Sequence, residues 1–74
     1  MSKLALNATM AKFVAQREEA RAVLMLYAQQ GVGVPEHSNI VGEMTEWTKK
    51  LAEAEECIKT LHNAFPPPAE QQEE

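Results

Sequence analysis

A heptad stripe of apolar residues runs through the second half of the chain. Its members follow one another at alternating steps of four and three residues: Ile40, Met44, Trp47, Leu51, Ala54, Ile58, Leu61 and Phe65. This spacing is typical of a helix that packs along one seam of a left-handed helical bundle. We therefore predict an α-helix from about residue 35 to about residue 65. Pro35 suits its first position, and the prolines that begin at Pro66 forbid its continuation.

The first half of the chain predicts a second long helix. Residues 3–30 contain no Gly or Pro and are rich in Ala, Leu, Met, Glu, Gln and Arg, which favour helices. Its matching seam comprises Leu6, Met10, Phe13, Ala20, Leu24 and Tyr27, interrupted by Arg17. With a turn at residues 31–34, the predicted fold is all-α: an antiparallel two-helix hairpin over residues 1–65. Residues 66–74, PPPAEQQEE, are polar and acidic and predict a disordered tail.

The hairpin is not expected to exist alone. The segment from Ala22 to Ala28 is apolar on every side of its helix, and one partner helix covers only one side. A chain of 74 residues also buries too little surface to be stable without a disulfide, a metal or a second copy. We expect a homodimer, forming a four-helix bundle, or an obligate heterodimer. The predicted interface residues are Phe13, Arg17, Val23, Leu24, Tyr27, Met44, Trp47, Leu51, Ile58 and Leu61.

Two seam residues carry specific expectations. Positions equidistant from the turn face each other in an antiparallel hairpin, so Trp47 is expected level with Ala20. Arg17, charged within an apolar seam, has two interpretations. Its long side chain reaches the edge of the bundle, or it forms a buried pair with a Glu of a neighbouring helix and fixes the register between subunits. Because Arg17 lies one turn from Ala20, we also expect it over the indole of Trp47.

No residue pattern favours catalysis, and no cofactor or metal is expected. Adjacent glutamates such as Glu18 and Glu19 point about 100° apart on a helix and do not converge on a substrate. Cys57 is the single cysteine, next to a seam position, and no His shares metal-ligand spacing with it. One free thiol fits a reducing compartment, so we expect a cytoplasmic protein. No apolar run approaches the length of a membrane span.

Two resemblances supply alternatives. The words ALN (residues 5–7) and MAKFV (residues 10–14) are similar to the first helix of the Rop family of plasmid RNA-binding proteins, with an insertion of two residues between them. That resemblance implies a dimeric four-helix bundle in which Asn7, Lys12 and Phe13 face RNA. The hairpin layout and GVGVPEH (residues 31–37) also resemble the small co-chaperones of type III secretion, which shield a needle subunit together with a second chaperone.

A protein–protein interaction module is the preferred prediction over these alternatives. A net charge of −4 repels nucleic acid and anionic membranes, although residues 1–17 carry Lys3, Lys12 and Arg17 and no acid. We therefore expect a small non-enzymatic protein–protein interaction module, an adaptor, inhibitor or chaperone-like hairpin. An RNA-binding bundle that uses the basic first helix is the alternative, and a subunit of a secretion co-chaperone complex is the second alternative.

Overall fold

The computed structural model describes residues 3–30 and 39–66, which form two helices. Helix α1 spans Lys3–Gln30 and helix α2 spans Ile40–Ala64. The expected turn at residues 31–34, the expected helix start at Pro35 and all of the expected tail beyond Pro66 lie outside the described residues. The expectation of an all-α chain is confirmed. Neither helix of the described part contains a stretch long and apolar enough to cross a membrane.

Helix α2 is described from Ile40, and Asn39, which precedes it, takes a non-helical backbone conformation with φ −93° and ψ 49°. The carbonyl of Asn39 accepts the first helical bond, from the amide of Glu43 at 3.0 Å. The Asn39 side chain lies against Gly42, where a Cβ would stand 2.5 Å from Asn39 Oδ1. Gly42 thus leaves room for the residue that precedes the helix, a role that the sequence analysis did not foresee.

The C-terminal end of α2 is set by a proline. Phe65 leaves the helical conformation, with φ −134° and ψ 70°, because the ring of Pro66 disfavours helical backbone in the residue before it. The amide of Phe65 still donates to the carbonyl of Leu61 at 2.8 Å. The side chain of Phe65 is 44% exposed, so the apolar stripe of α2 contributes to the helix contact only as far as Leu61.

The two helices pack against each other in antiparallel directions. Gln16 of α1 bonds to Lys50 of α2, and Tyr27, farther along α1, bonds to Glu43, earlier in α2. The contact between Gln16 and Lys50 joins positions equidistant from residue 33. That contact places Ala20 level with residue 46, and the contact between Tyr27 and Glu43 places it level with residue 50, so Trp47 lies within about one helical turn of the level of Ala20. The prediction that the two helices pair is therefore confirmed.

The core between the helices is thin. In the described part of the chain the fully buried apolar residues are Ala20 and Ala54, one from each helix. No large side chain there is fully buried. Burial of apolar area is the main favourable term in folding, at about 25 cal/mol per Å². Because only these two side chains of the described part are completely buried, much of the apolar area of the helices remains in contact with water.

Candidate interaction surface

All ten predicted interface residues lie along the contact between α1 and α2, and each is half-buried. They are Phe13, Arg17, Val23, Leu24, Tyr27, Met44, Trp47, Leu51, Ile58 and Leu61. The 3.6-residue period of the helix places them there, since it returns every third or fourth side chain to the same face. Part of each of these side chains is therefore buried between α1 and α2, and the remainder is exposed at the open edges of the seam.

Polar contacts cross one edge of this seam. Gln16 Nε2 donates to the carbonyl of Lys50 at 3.0 Å and to Glu53 Oε1 at 3.2 Å. Closer to the ends that residues 31–38 connect, the Tyr27 hydroxyl donates to Glu43 Oε1 at 3.5 Å. Gln16 is not among the predicted interface residues, although it precedes Ala20 by one helical turn and so lies at the margin of the seam. These hydrogen bonds fix the axial register of α1 against α2, which apolar packing alone does not specify.

Arg17 has a partner that neither interpretation foresaw. Its Nε lies 3.0 Å from Glu18 Oε2 on the same helix, with 29% of the arginine side chain exposed. Glu18 also lies 3.7 Å from Arg21, which reaches Glu55 of α2 at 3.7 Å. The four residues form a charged chain across the hairpin. These contacts are largely exposed and contribute little to stability, at most about 1 kcal/mol for each pair.

A different cation covers the indole of Trp47. Lys50 Nζ lies 5.1 Å from the ring centroid, one turn along the same helix, whereas Arg17 is bound to Glu18. The expectation that Arg17 covers the indole is therefore wrong. Trp47 itself is half-buried. A cation over an indole within about 6 Å is attracted by the ring quadrupole, so Lys50 shields part of the face that the hairpin leaves exposed.

Large apolar side chains are exposed on both helices near the ends that residues 31–38 connect. Met25 is 59% exposed, Leu26 is 53% exposed and Val41 is 75% exposed. Val41 borders a shallow open depression on α2 whose other lining residues are Met44, Thr45, Thr48 and Lys49. The all-round apolar character of Ala22 to Ala28 is thus not satisfied by α2. This part of α1 is the surface where the chain most needs further cover.

Of the four basic residues of α1, Lys3, Arg17 and Arg21 lie within about 40° of one another around the helix, and Lys12 lies apart from them. Lys3 and Lys12 are nine residues apart, two and a half helical turns, so they lie on opposite sides of the helix. Arg17 is neutralised by Glu18. A nucleic-acid surface requires unpaired cations clustered on one side, and on the side that Lys3 shares with Arg17 and Arg21 both arginines are paired with Glu18.

Groups that carry chemistry are sparse in the described part of the chain. Cys57 is a free, half-buried thiol. Residues 3–30 and 39–66 contain no cluster of His, Cys, Asp and Glu that could hold a metal ion. No family model matches the chain, and no curated protein or solved structure matches it either. The candidate site is therefore defined by its exposed apolar surface.

Proposed function

We propose that this chain is a non-enzymatic protein–protein interaction module that works as an oligomer. The observation that supports this most is the mismatch between apolar surface and burial. Among the described residues of the two helices only Ala20 and Ala54 are fully buried, whereas Met25, Leu26 and Val41 are more than half exposed. Exposed apolar patches of this kind mark association surfaces in soluble proteins. A dimer in which two hairpins share a four-helix bundle covers the most surface with the fewest components.

The oligomer is tested by sedimentation equilibrium of the purified chain at micromolar concentration. We expect a mass of at least twice 8.2 kDa, with dissociation accompanied by loss of helical circular dichroism. A folded, fully helical monomer would contradict the oligomer. The obligate heterodimer predicts instead that the purified chain is poorly helical until its partner is added.

The partner is tested by photo-crosslinking in the native cell. A photoreactive residue at Val41, which is 75% exposed, should capture a distinct protein identified by mass spectrometry. The same residue at Ala52, an exposed position of α2 surrounded by charged side chains, is the matched control and should capture none. Capture of RNA-binding complexes or RNA through Lys12, and of nothing through Val41, would favour the nucleic-acid alternative. A reducing compartment such as the cytoplasm suits the free thiol of Cys57.

A further inference from the structure

The outer face of α1, which lies opposite α2, is mostly apolar. Ala20 is fully buried against α2, and Ala22 lies about 200° around the helix from it. We define the outer face by the exposed apolar residues that share this direction: Leu4, Ala8, Ala11, Ala15, Ala22 and Leu26. The polar Gln29 also shares it, beyond Leu26. Leu4 and Leu26 at its two ends are 79% and 53% exposed. The one acid within it, Glu18, has its carboxylate bound by Arg17 and Arg21.

The outer face of α2 is polar except near its start. Relative to buried Ala54, the far side of α2 carries the exposed Val41 and then these exposed residues: Thr45, Lys49, Ala52, Glu56, Lys59 and Asn63. A polar outer face is stable in water, whereas an apolar face of comparable length is not. The two helices thus differ in what they present outward, and α1 is the helix that requires a second neighbour.

We infer that the outer face of α1 packs antiparallel against the same face of a second copy of this chain, about a two-fold axis at Ala15. The inference rests on the proposed oligomer and names its surface. In this arrangement Leu4 lies level with Leu26 of the other copy, and Ala8 lies level with Ala22. Large residues meet at both ends and Ala15 meets Ala15 on the axis, where small side chains let two helices approach closely; Ala11 lies level with Glu19. A two-fold contact requires such self-complementarity.

Charges beside the outer face match the same register. Lys12 and Glu19 are seven residues apart, so they lie on one flank of α1. Both are exposed, and neither has an ion-pair partner among residues 3–30 and 39–66. Residues on the same flank meet when two copies run antiparallel, which places Lys12 of each copy within one residue of the level of Glu19 of the other. The symmetry supplies this opposite-charge contact twice.

Disulfide trapping tests the axis. In a Cys57→Ser background, Ala15→Cys should crosslink two copies under mild oxidation, because the two-fold brings the two residues together within disulfide reach. Ala52→Cys in the same background is the matched control and should stay uncrosslinked. Ala8→Cys should crosslink poorly to itself but efficiently to Ala22→Cys in a mixture. Efficient self-crosslinking of Ala8→Cys would overturn the antiparallel direction.

Charge exchange tests the register without oxidation. Lys12→Glu alone and Glu19→Lys alone should each weaken the dimer about threefold to tenfold, the effect of two exposed ion pairs lost and replaced by repulsion. The double variant should recover the parent affinity. A double variant as weak as either single one would overturn the pairing.

Ala15→Arg provides the remaining test, because it places a charge on the axis while keeping a good helix former. The dissociation constant should rise about 100-fold or more, with Ala52→Arg as the unaffected control. If Ala15→Arg remains dimeric and Ala15→Cys does not crosslink, the outer face of α1 is not the interface, yet the proposed oligomer stands. If the parent chain is a folded monomer, the proposed oligomer fails as well.

Discussion

Gln16 and Lys50 are joined across the hairpin by a hydrogen bond of 3.0 Å from the Gln16 side-chain amide to the Lys50 carbonyl. That carbonyl belongs to the middle of α2, so the contact ties a side chain of one helix to the backbone of the other. A tie to the backbone fixes the axial position of α1 more directly than a pair of long side chains does. The same amide also donates to Glu53.

Replacing Gln16 by Ala should reduce the free energy of unfolding by about 1 kcal/mol, the usual net contribution of such hydrogen bonds. The loss stays small because the Lys50 carbonyl keeps its bond within α2 and Glu53 remains in water. Urea unfolding followed by circular dichroism measures it. Gln29→Ala, at an exposed position of the same helix, is the control and should leave the midpoint unchanged. Equal effects of the two changes would mean that the cross-helix bond contributes nothing in solution.

Trp47→Ala should cost about 3 kcal/mol, the lower end of the range for a large aromatic removed from a core, because the indole is half-buried rather than enclosed. Trp47→Phe retains most of the packing and should cost much less. Tryptophan emission of the parent should lie at shorter wavelength than that of an indole in water, and Lys50→Ala should shift it slightly. A water-like emission maximum combined with a fully stable Trp47→Ala variant would place the indole outside the contact.

Gly42→Ala tests the packing of Asn39 at the start of α2. Ala is favoured over Gly in a helix by about 1 kcal/mol, but the new Cβ would stand 2.5 Å from Asn39 Oδ1. We expect less than half of this gain in the parent chain and the full gain in an Asn39→Ala background. Thermal unfolding of the four variants provides the cycle. Equal gains in both backgrounds would show that the Asn39 side chain does not occupy this space.

Cys57→Ser should leave the oligomer and partner capture intact and lower stability by no more than about 1 kcal/mol. The thiol is half-buried beside the seam, and serine nearly preserves its volume. Sedimentation and unfolding of the variant check this. Loss of partner capture with unchanged helicity and oligomeric state would assign the thiol a chemical role.

The apolar half of the seam was predictable, because a heptad spacing depends only on helix geometry and is visible in Met44, Trp47 and Leu51 without any partner. The polar half was not. Gln16 looks like an ordinary solvated residue until the register brings Lys50 beside it. The spacing of four residues would also allow the pairs Glu46–Lys50, Lys49–Glu53 and Glu55–Lys59, and none of them forms in the described helices. Lys50 lies over Trp47, Lys49 binds Glu46 and Glu55 binds Arg21.

The residue that precedes α2 was not predictable for a related reason. The non-helical Asn39 beside Gly42 depends on a side-chain fit three residues away that composition does not reveal. The partner of Arg17 was not predictable either, because its nearest carboxylate is the adjacent Glu18 rather than a residue of another helix.

The hairpin geometry also orders its folding. The contact between Tyr27 and Glu43 closes a loop of 16 residues, whereas that between Gln16 and Lys50 closes one of 34. Loop-closure entropy makes the second contact costlier by about 0.7 kcal/mol if it forms first. We therefore expect helix–helix contacts to form first near Tyr27 and Glu43 and last near Leu6 and Leu61. Amide protons near Leu6 and Leu61 should exchange fastest, since the last turns to close are the first to open.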